Sequence, residues 1–84
     1  MNIHIRYFAA VRERLGRADE LLHTEARTVG EVRDALIARG GVFADVLARG
    51  QAVRIALDHV MTDDEAAVLA DGAEVAFFPP VTGG

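Results

Sequence analysis

Residues 2–8 alternate polar and apolar without a break: Ile3, Ile5 and Tyr7 take one side, and His4, Arg6 and Phe8 the other. A period of two marks a half-buried strand, so three large apolar groups share a face that something else must cover. Val53, Ile55 and Leu57 repeat the pattern against Arg54, Ala56 and Asp58, and residues 73–78 close the chain with Val75 and Phe77 on one side. Residues 19–24 form a weaker strand, expected to return beside the first, and Val60 and Met61 a short one. One strongly amphipathic helix is available as the cover, over residues 29–39. Val29, Val32, Leu36 and Ile37 make its apolar stripe, Thr28 is a suitable N-cap, Glu31 completes a capping box, and Gly40-Gly41 ends it.

Shorter helical segments are expected over residues 9–15, closed by Gly16 with Ala10, Val11 and Leu15 available for burial, and over residues 43–47. Residues 62–65 read as a solvated turn leading into a helical turn through Leu69, and Asp71-Gly72 as a turn before the last strand. The predicted order is β, β, α, β, short β, β. With one main helix on one face of a mixed sheet of about five strands, this is an α+β, two-layer arrangement, the β-grasp (ubiquitin-like) roll. At 84 residues the chain is read as a single domain, residues 1–84, with residues 79–84 as a protruding C-terminal tail.

Composition narrows the chemistry. A formal net charge of −4 disfavours nucleic acid as a partner, because phosphates reward a basic surface. No apolar run approaches the ~20 residues needed to span a bilayer, so no membrane is expected and cytoplasmic residence is the default. With no cysteine there is no disulfide, thiolate nucleophile or cysteine metal site, and His4, His23 and His59 lack metal-ligand spacing, so no bound metal or cofactor is expected. All 9 basic residues are arginine. Without lysine, any amide formed through a lysine ammonium would use a partner's lysine.

The reactive group is the chain end. Phe77-Phe78-Pro79-Pro80-Val81-Thr82 leads directly into Gly83-Gly84. The prolines have fixed φ and no N–H, so the strand should end near Phe78. From Pro79 to Gly84 the chain can reach about 20 Å when extended. Glycines without Cβ atoms can thread a passage too narrow for side chains, so the terminal carboxylate of Gly84 can be delivered into another protein's active site. The alternative is an inert end, since terminal segments are often small and frayed. Phe8 and Phe78 fall on the face opposite the helix. If the first and last strands are neighbours, both rings lie beside the tail's exit, and an exposed aromatic cluster marks a protein-docking surface.

Residues 71–84, together with Tyr7-Phe8-Ala9 and Val11-Arg12-Glu13, resemble the small subunits of molybdopterin synthase, the MoaD family; the likeness spans the chain and is most specific in the last dozen residues. The resemblance implies a β-grasp sulfur carrier. Its terminal glycine is adenylated with ATP by a MoeB-type activating enzyme, converted to a thiocarboxylate, and inserted into a large MoaE-type subunit. There its sulfur passes to precursor Z (cyclic pyranopterin monophosphate) during molybdenum cofactor biosynthesis. By the same resemblance Gly84 carries the adenylate and then the sulfur, with Gly83 beside it. Phe8, Arg12, Phe78, Pro79, Pro80, Val81 and Thr82 contact partners, the large subunit supplies the catalytic lysine, and the assembly is a heterotetramer. Family members often carry asparagine where this chain has Asp58, which bears on the geometry of that turn. Three other readings remain: a ThiS-like carrier for another pathway, a ubiquitin-like modifier of target lysines, and an interaction module with an inert end.

Overall fold

A computed structural model describes residues 1–80 of the chain. Its elements are β1 (Asn2–Tyr7), α1 (Ala9–Leu15), β2 (Asp19–His23), α2 (Val29–Ile37), α3 (Gly41–Leu47), β3 (Arg54–Leu57), β4 (Val60–Thr62) and β5 (Glu74–Phe78). The strands form a single mixed sheet in the order β2-β1-β5-β3-β4. β1 and β5 run parallel at its centre, with His4 opposite Glu74 and Tyr7 opposite Phe77, while β2, β3 and β4 join antiparallel. This is the expected β-grasp roll.

The strand alternation sets the core. Ile3, Ile5, Tyr7, Ile55, Val75 and Phe77 point into one buried cluster with Val29, Val32 and Leu36 of α2. Val11 and Leu15 of α1, as expected, enter the same cluster together with Val46 and Leu47 of α3, so the two shorter helices help α2 cover this face. Ala10 faces outward instead of joining them. The Gly40-Gly41 pair also does more than end a helix: α2 stops at Ile37, Gly40 at φ 74° occupies the N-cap of α3, and Gly41 is its first residue.

Residues 62–69 form no helical turn. They run alongside the start of α2, with an isolated bridge between Thr28 and Val68. The carbonyls of Ala67 and Glu65 accept the N–H groups of Val29 and Gly30, and Arg27 O accepts Leu69 N–H. The first N–H groups of a helix have no partner within it, so using this loop to satisfy them outweighs a short helix of the loop's own. Thr28 Oγ1 accepts Glu31 N–H at 3.2 Å, as the capping box requires, but the Glu31 carboxylate reaches Arg27 N–H rather than the N-cap amide. The loop comes so close that a Cβ on Gly30 would lie 3.1 Å from Glu65 O.

Arg33, only 6% exposed, anchors this region. Its guanidinium donates to Leu47 O at 2.7 Å and Ala48 O at 3.1 Å, at the end of α3, and to the Glu65 carboxylate at 3.3 Å. Arg49 also binds Glu65 and Asp34, and these carboxylates hold its guanidinium above the ordinary arginine value. The β3–β4 connection is a two-residue turn with Asp58 at φ 49° and His59 at φ 72°. Asp58 suits the position where asparagine was expected, because its short side chain tolerates positive φ and accepts Glu74 N–H at 2.9 Å.

Candidate functional site

The end of the β1–β5 ladder is where the chain leaves the sheet. Phe8 N–H donates to Phe77 O at 3.1 Å, so Phe8 and Phe78 both follow directly on the paired residues Tyr7 and Phe77. Both belong to the face that the helices leave bare. Phe8 is 37% exposed and Phe78 half-buried, so neither ring is withdrawn into the core. The two rings do not stack on each other. Among the described residues the ring pairs are Tyr7 with Phe43 and Tyr7 with Phe77, both inside; Phe8 lies under the Arg6 guanidinium, 5.0 Å from its centroid.

Arg12 sits four residues after Phe8, and its N–H donates to Phe8 O in the first turn of α1. That spacing puts both residues on one side of the helix. Arg12 is exposed, and no described carboxylate pairs with it. Pro79 and Pro80 are half-buried beyond the last strand residue, Phe78. Pro79 forms one wall of an open groove otherwise lined by Ala10, Val11, Arg14, Val46, Gln51, Ala52 and Val53. Phe8 and Phe78 thus stand together at the end of the β1–β5 ladder, with Arg12 one helical turn after Phe8 and Pro79 on the groove wall. Val81, Thr82, Gly83 and Gly84 lie outside the described residues.

The sequence reading missed the charged part of the bare face. The Glu74 carboxylate is approached by His59 at 3.4 Å, Arg6 at 3.8 Å and His4 at 4.0 Å, drawing on β1, β5 and the β3–β4 turn. Alternation placed His4 and Arg6 outward, but the pairing order that brings Glu74 between them follows only from topology. Ala56 and Ala76 are direct partners in the middle of this face, leaving a shallow floor between the charged cluster and Phe78. On the opposite face the network is closed. Tyr7 donates to Glu20 at 2.8 Å, and Arg39 and Arg17 bind the same carboxylate. Burial and the bond to Glu20 push the Tyr7 phenol above its ordinary value. Burial alone would raise Glu20, but hydrogen bonds from Arg39 and Tyr7 and the two arginine charges outweigh it and hold the carboxyl below its ordinary value.

No cluster of three or more metal-ligating side chains occurs among the described residues, and none of their helices is long and apolar enough to cross a membrane. What the described residues present is an exposed surface around the point where Pro79-Pro80 leave the sheet.

Comparison with known proteins agrees with this geometry. The molybdopterin synthase sulfur carrier subunit of Haemophilus influenzae is 35% identical over 82 residues, covering 98% of this chain and 99% of the relative. The crystal structure of SAMP1 from Haloferax volcanii matches over 100% of both chains with a TM-score of 0.79 at 23% identity. A chain of the complex of subunits 1 and 2 of molybdopterin-converting factor from Helicobacter pylori matches over 100% of both chains, with a TM-score of 0.73 at 24% identity. Residues 5–84 match the profile of the ThiS family. With that profile running to the last glycine and a relative similar from end to end, the chain belongs to the ThiS family.

Proposed function

We propose that this chain is the sulfur-carrier small subunit of a molybdopterin synthase. The observation that carries the reading is its end-to-end similarity to a relative bearing that name, over 99% of the relative's length. A terminal carboxylate, with an ordinary pKa near 3.5, is an anion at neutral pH and a poor electrophile. In the proposed cycle an adenylating enzyme joins the Gly84 carboxylate to the AMP moiety of ATP, with pyrophosphate leaving. Hydrosulfide, released by the sulfur donor, then attacks the carbonyl carbon, forms the C–S bond and expels AMP, leaving a thiocarboxylate. The loaded tail enters the large subunit, where the sulfur passes to precursor Z.

In this scheme the chain is not an enzyme on its own. It supplies a substrate group and a docking surface, with Phe8, Arg12, Phe78, Pro79 and Pro80 seating the root of the tail while the large subunit supplies the catalytic groups. Cytoplasmic residence and a heterotetramer of two small subunits on a large-subunit dimer belong to the same proposal. A ThiS-like carrier for another pathway shares the family, and the likeness to SAMP1, at 23% identity, concerns fold alone.

The test is intact mass after incubation with an adenylating enzyme, ATP and a sulfur donor, followed by addition of the large subunit and precursor Z. Exchange of one oxygen for sulfur, then formation of molybdopterin, is the expected result. Deletion of Gly84 abolishes loading and leaves the thermal midpoint unchanged. Loading that survives the deletion overturns the role of Gly84. Sulfur loading without molybdopterin favours another pathway, and covalent adducts on protein lysines favour a modifier.

A further inference from the structure

A protein with an activated carboxyl end faces a hazard from its own nucleophiles. An amine or hydroxyl that reaches the acyl-adenylate attacks the carbonyl carbon, forms a C–N or C–O bond, expels AMP and ends the cycle. This sequence contains no lysine, cysteine or serine. The nucleophiles left are the α-amine, three histidines, one tyrosine and four threonines, and the fold places nearly all the described ones away from the tail or engages them.

The α-amine lies at the far end of the sheet. β1 and β5 are parallel, and the turn before β5 returns to the start of β1, where Gly72 N–H donates to Asn2 O and Asn2 N–H to Asp71 Oδ1, both at 2.7 Å. Six residue steps, about 20 Å of strand, separate that level from Phe78. The segment 79–84 spans at most about 20 Å, so its end meets the amine only by reversing at Pro79-Pro80, against two fixed φ angles, and running back along the whole sheet. The ammonium also donates to Thr24 O at 2.7 Å in a half-buried position. His23 stands opposite Asn2 at that far end, while His4 pairs with Glu74 and His59 contacts it, four residue steps back from Phe78, so the tail meets these two as well only by reversing at Pro79-Pro80.

The hydroxyls are engaged. Tyr7 is buried and bonded to Glu20, and Thr24, Thr28 and Thr62 each accept a nearby backbone N–H from Ala26, Glu31 and Asp64. Thr62 is the described hydroxyl level with the tail's root, two strands away and half-buried. Around the exit itself stand Phe8, Ala10, Arg12, Arg14, Gln51, Ala52 and Val53, none of which is an acyl acceptor at neutral pH.

We propose that the chain is a poor acceptor for its own activated end: activation in isolation leads to hydrolysis or to transfer onto another molecule, and not to a ring closed through a described nucleophile of the same chain. The inference rests on the sulfur-carrier reading, because it concerns an activated Gly84. Its test incubates the whole protein with the adenylating enzyme and ATP, without a sulfur donor. Pyrophosphate exchange reports the adenylate; intact mass and denaturing electrophoresis report its fate. Exchange with an unchanged protein mass and steady release of AMP is the expected result. A species lighter by one water whose new bond maps by fragmentation to a residue between 1 and 80 overturns the inference while leaving the carrier reading intact. Absence of exchange removes both. Gln51→Lys places an amine beside Pro79 and is expected to give at least about tenfold more of the cyclised species than the original protein. If that variant also stays unmodified, the enzyme's enclosure of the tail protects the adenylate, and the arrangement of nucleophiles does not.

Discussion

The two faces of the sheet are built from the same strands, residue by residue in alternation, and do opposite work. Toward the helices, Ile3, Ile5, Tyr7, Val75 and Phe77 are at most 1% exposed and meet side chains from all three helices. On the other side Phe8, Arg6, His4, Glu74 and Phe78 form a mixed surface around the small, buried Ala76, and no helix covers it. Stability therefore concentrates on one face, the proposed partner recognition falls to the other, and the boundary between them is a single peptide bond wide.

Phe77 and Phe78 test that boundary most severely. Phe77→Ala removes a fully buried ring that stacks on Tyr7, and is expected to cost about 3–5 kcal/mol. In so small a domain that consumes much of the total stability and shows as a large drop in the thermal midpoint. Phe78→Asp, one residue on, leaves the midpoint within about 1 kcal/mol of the original and weakens binding of the large subunit by about tenfold or more. Calorimetry for the first quantity and titration for the second separate the faces. Equal loss of stability in both variants would mean that Phe78 belongs to the core.

This division was largely legible in the sequence, because alternation reports which side a residue takes. Less legible was whatever depends on contacts between distant segments. Residues 63–69 carry helix-favouring residues and still form a loop, since their carbonyls serve the open end of α2. Arg33 is a charged residue inside an amphipathic helix and reads as solvated. It nonetheless lies four residues after Val29 and four before Ile37, on the apolar stripe, and that spacing is the signal that could have marked it as buried. The Glu74 cluster needed the parallel pairing of β1 and β5, which periodicity does not contain. At the tail, by contrast, the prolines and glycines speak through covalent geometry alone, so the proposed reactive end was clearer in the sequence than the charged surface around Glu74.

The covered face has a titratable rim that sharpens the comparison. Glu20 pairs with Ile5 across the β1–β2 ladder and holds Tyr7, Arg17 and Arg39 together. Its folded-state pKa lies below the ordinary 4.5, so its contribution is fully present above that value and is lost as pH falls through the folded one. Glu20→Gln is expected to cost about 2 kcal/mol near pH 7, with the difference from the original protein closing as pH falls below 4.5 through the lowered folded-state value. Denaturant midpoints across that range measure it. A gap that persists undiminished at low pH would assign the loss to packing instead of charge.

The smallest expected effect lies at the hinge between the faces. Ala9 has φ 51°, a left-handed value that costs a residue with a Cβ about 1 kcal/mol, and it is where the chain turns from β1 and Phe8 into α1 and Arg12. Strain held at a surface that binds is worth keeping only if it aims something. Ala9→Gly removes the penalty, and because Ala9 is exposed little packing is lost, so stability is expected to rise by about 0.5 kcal/mol. If the strain fixes the direction in which Phe8 and Arg12 face the partner, the same variant binds the large subunit about two- to threefold more weakly despite being more stable. Stability and affinity moving in opposite directions would place Ala9 with the docking face. A gain in stability with unchanged affinity would leave it a tight corner of the chain path and confine recognition to the side chains around it.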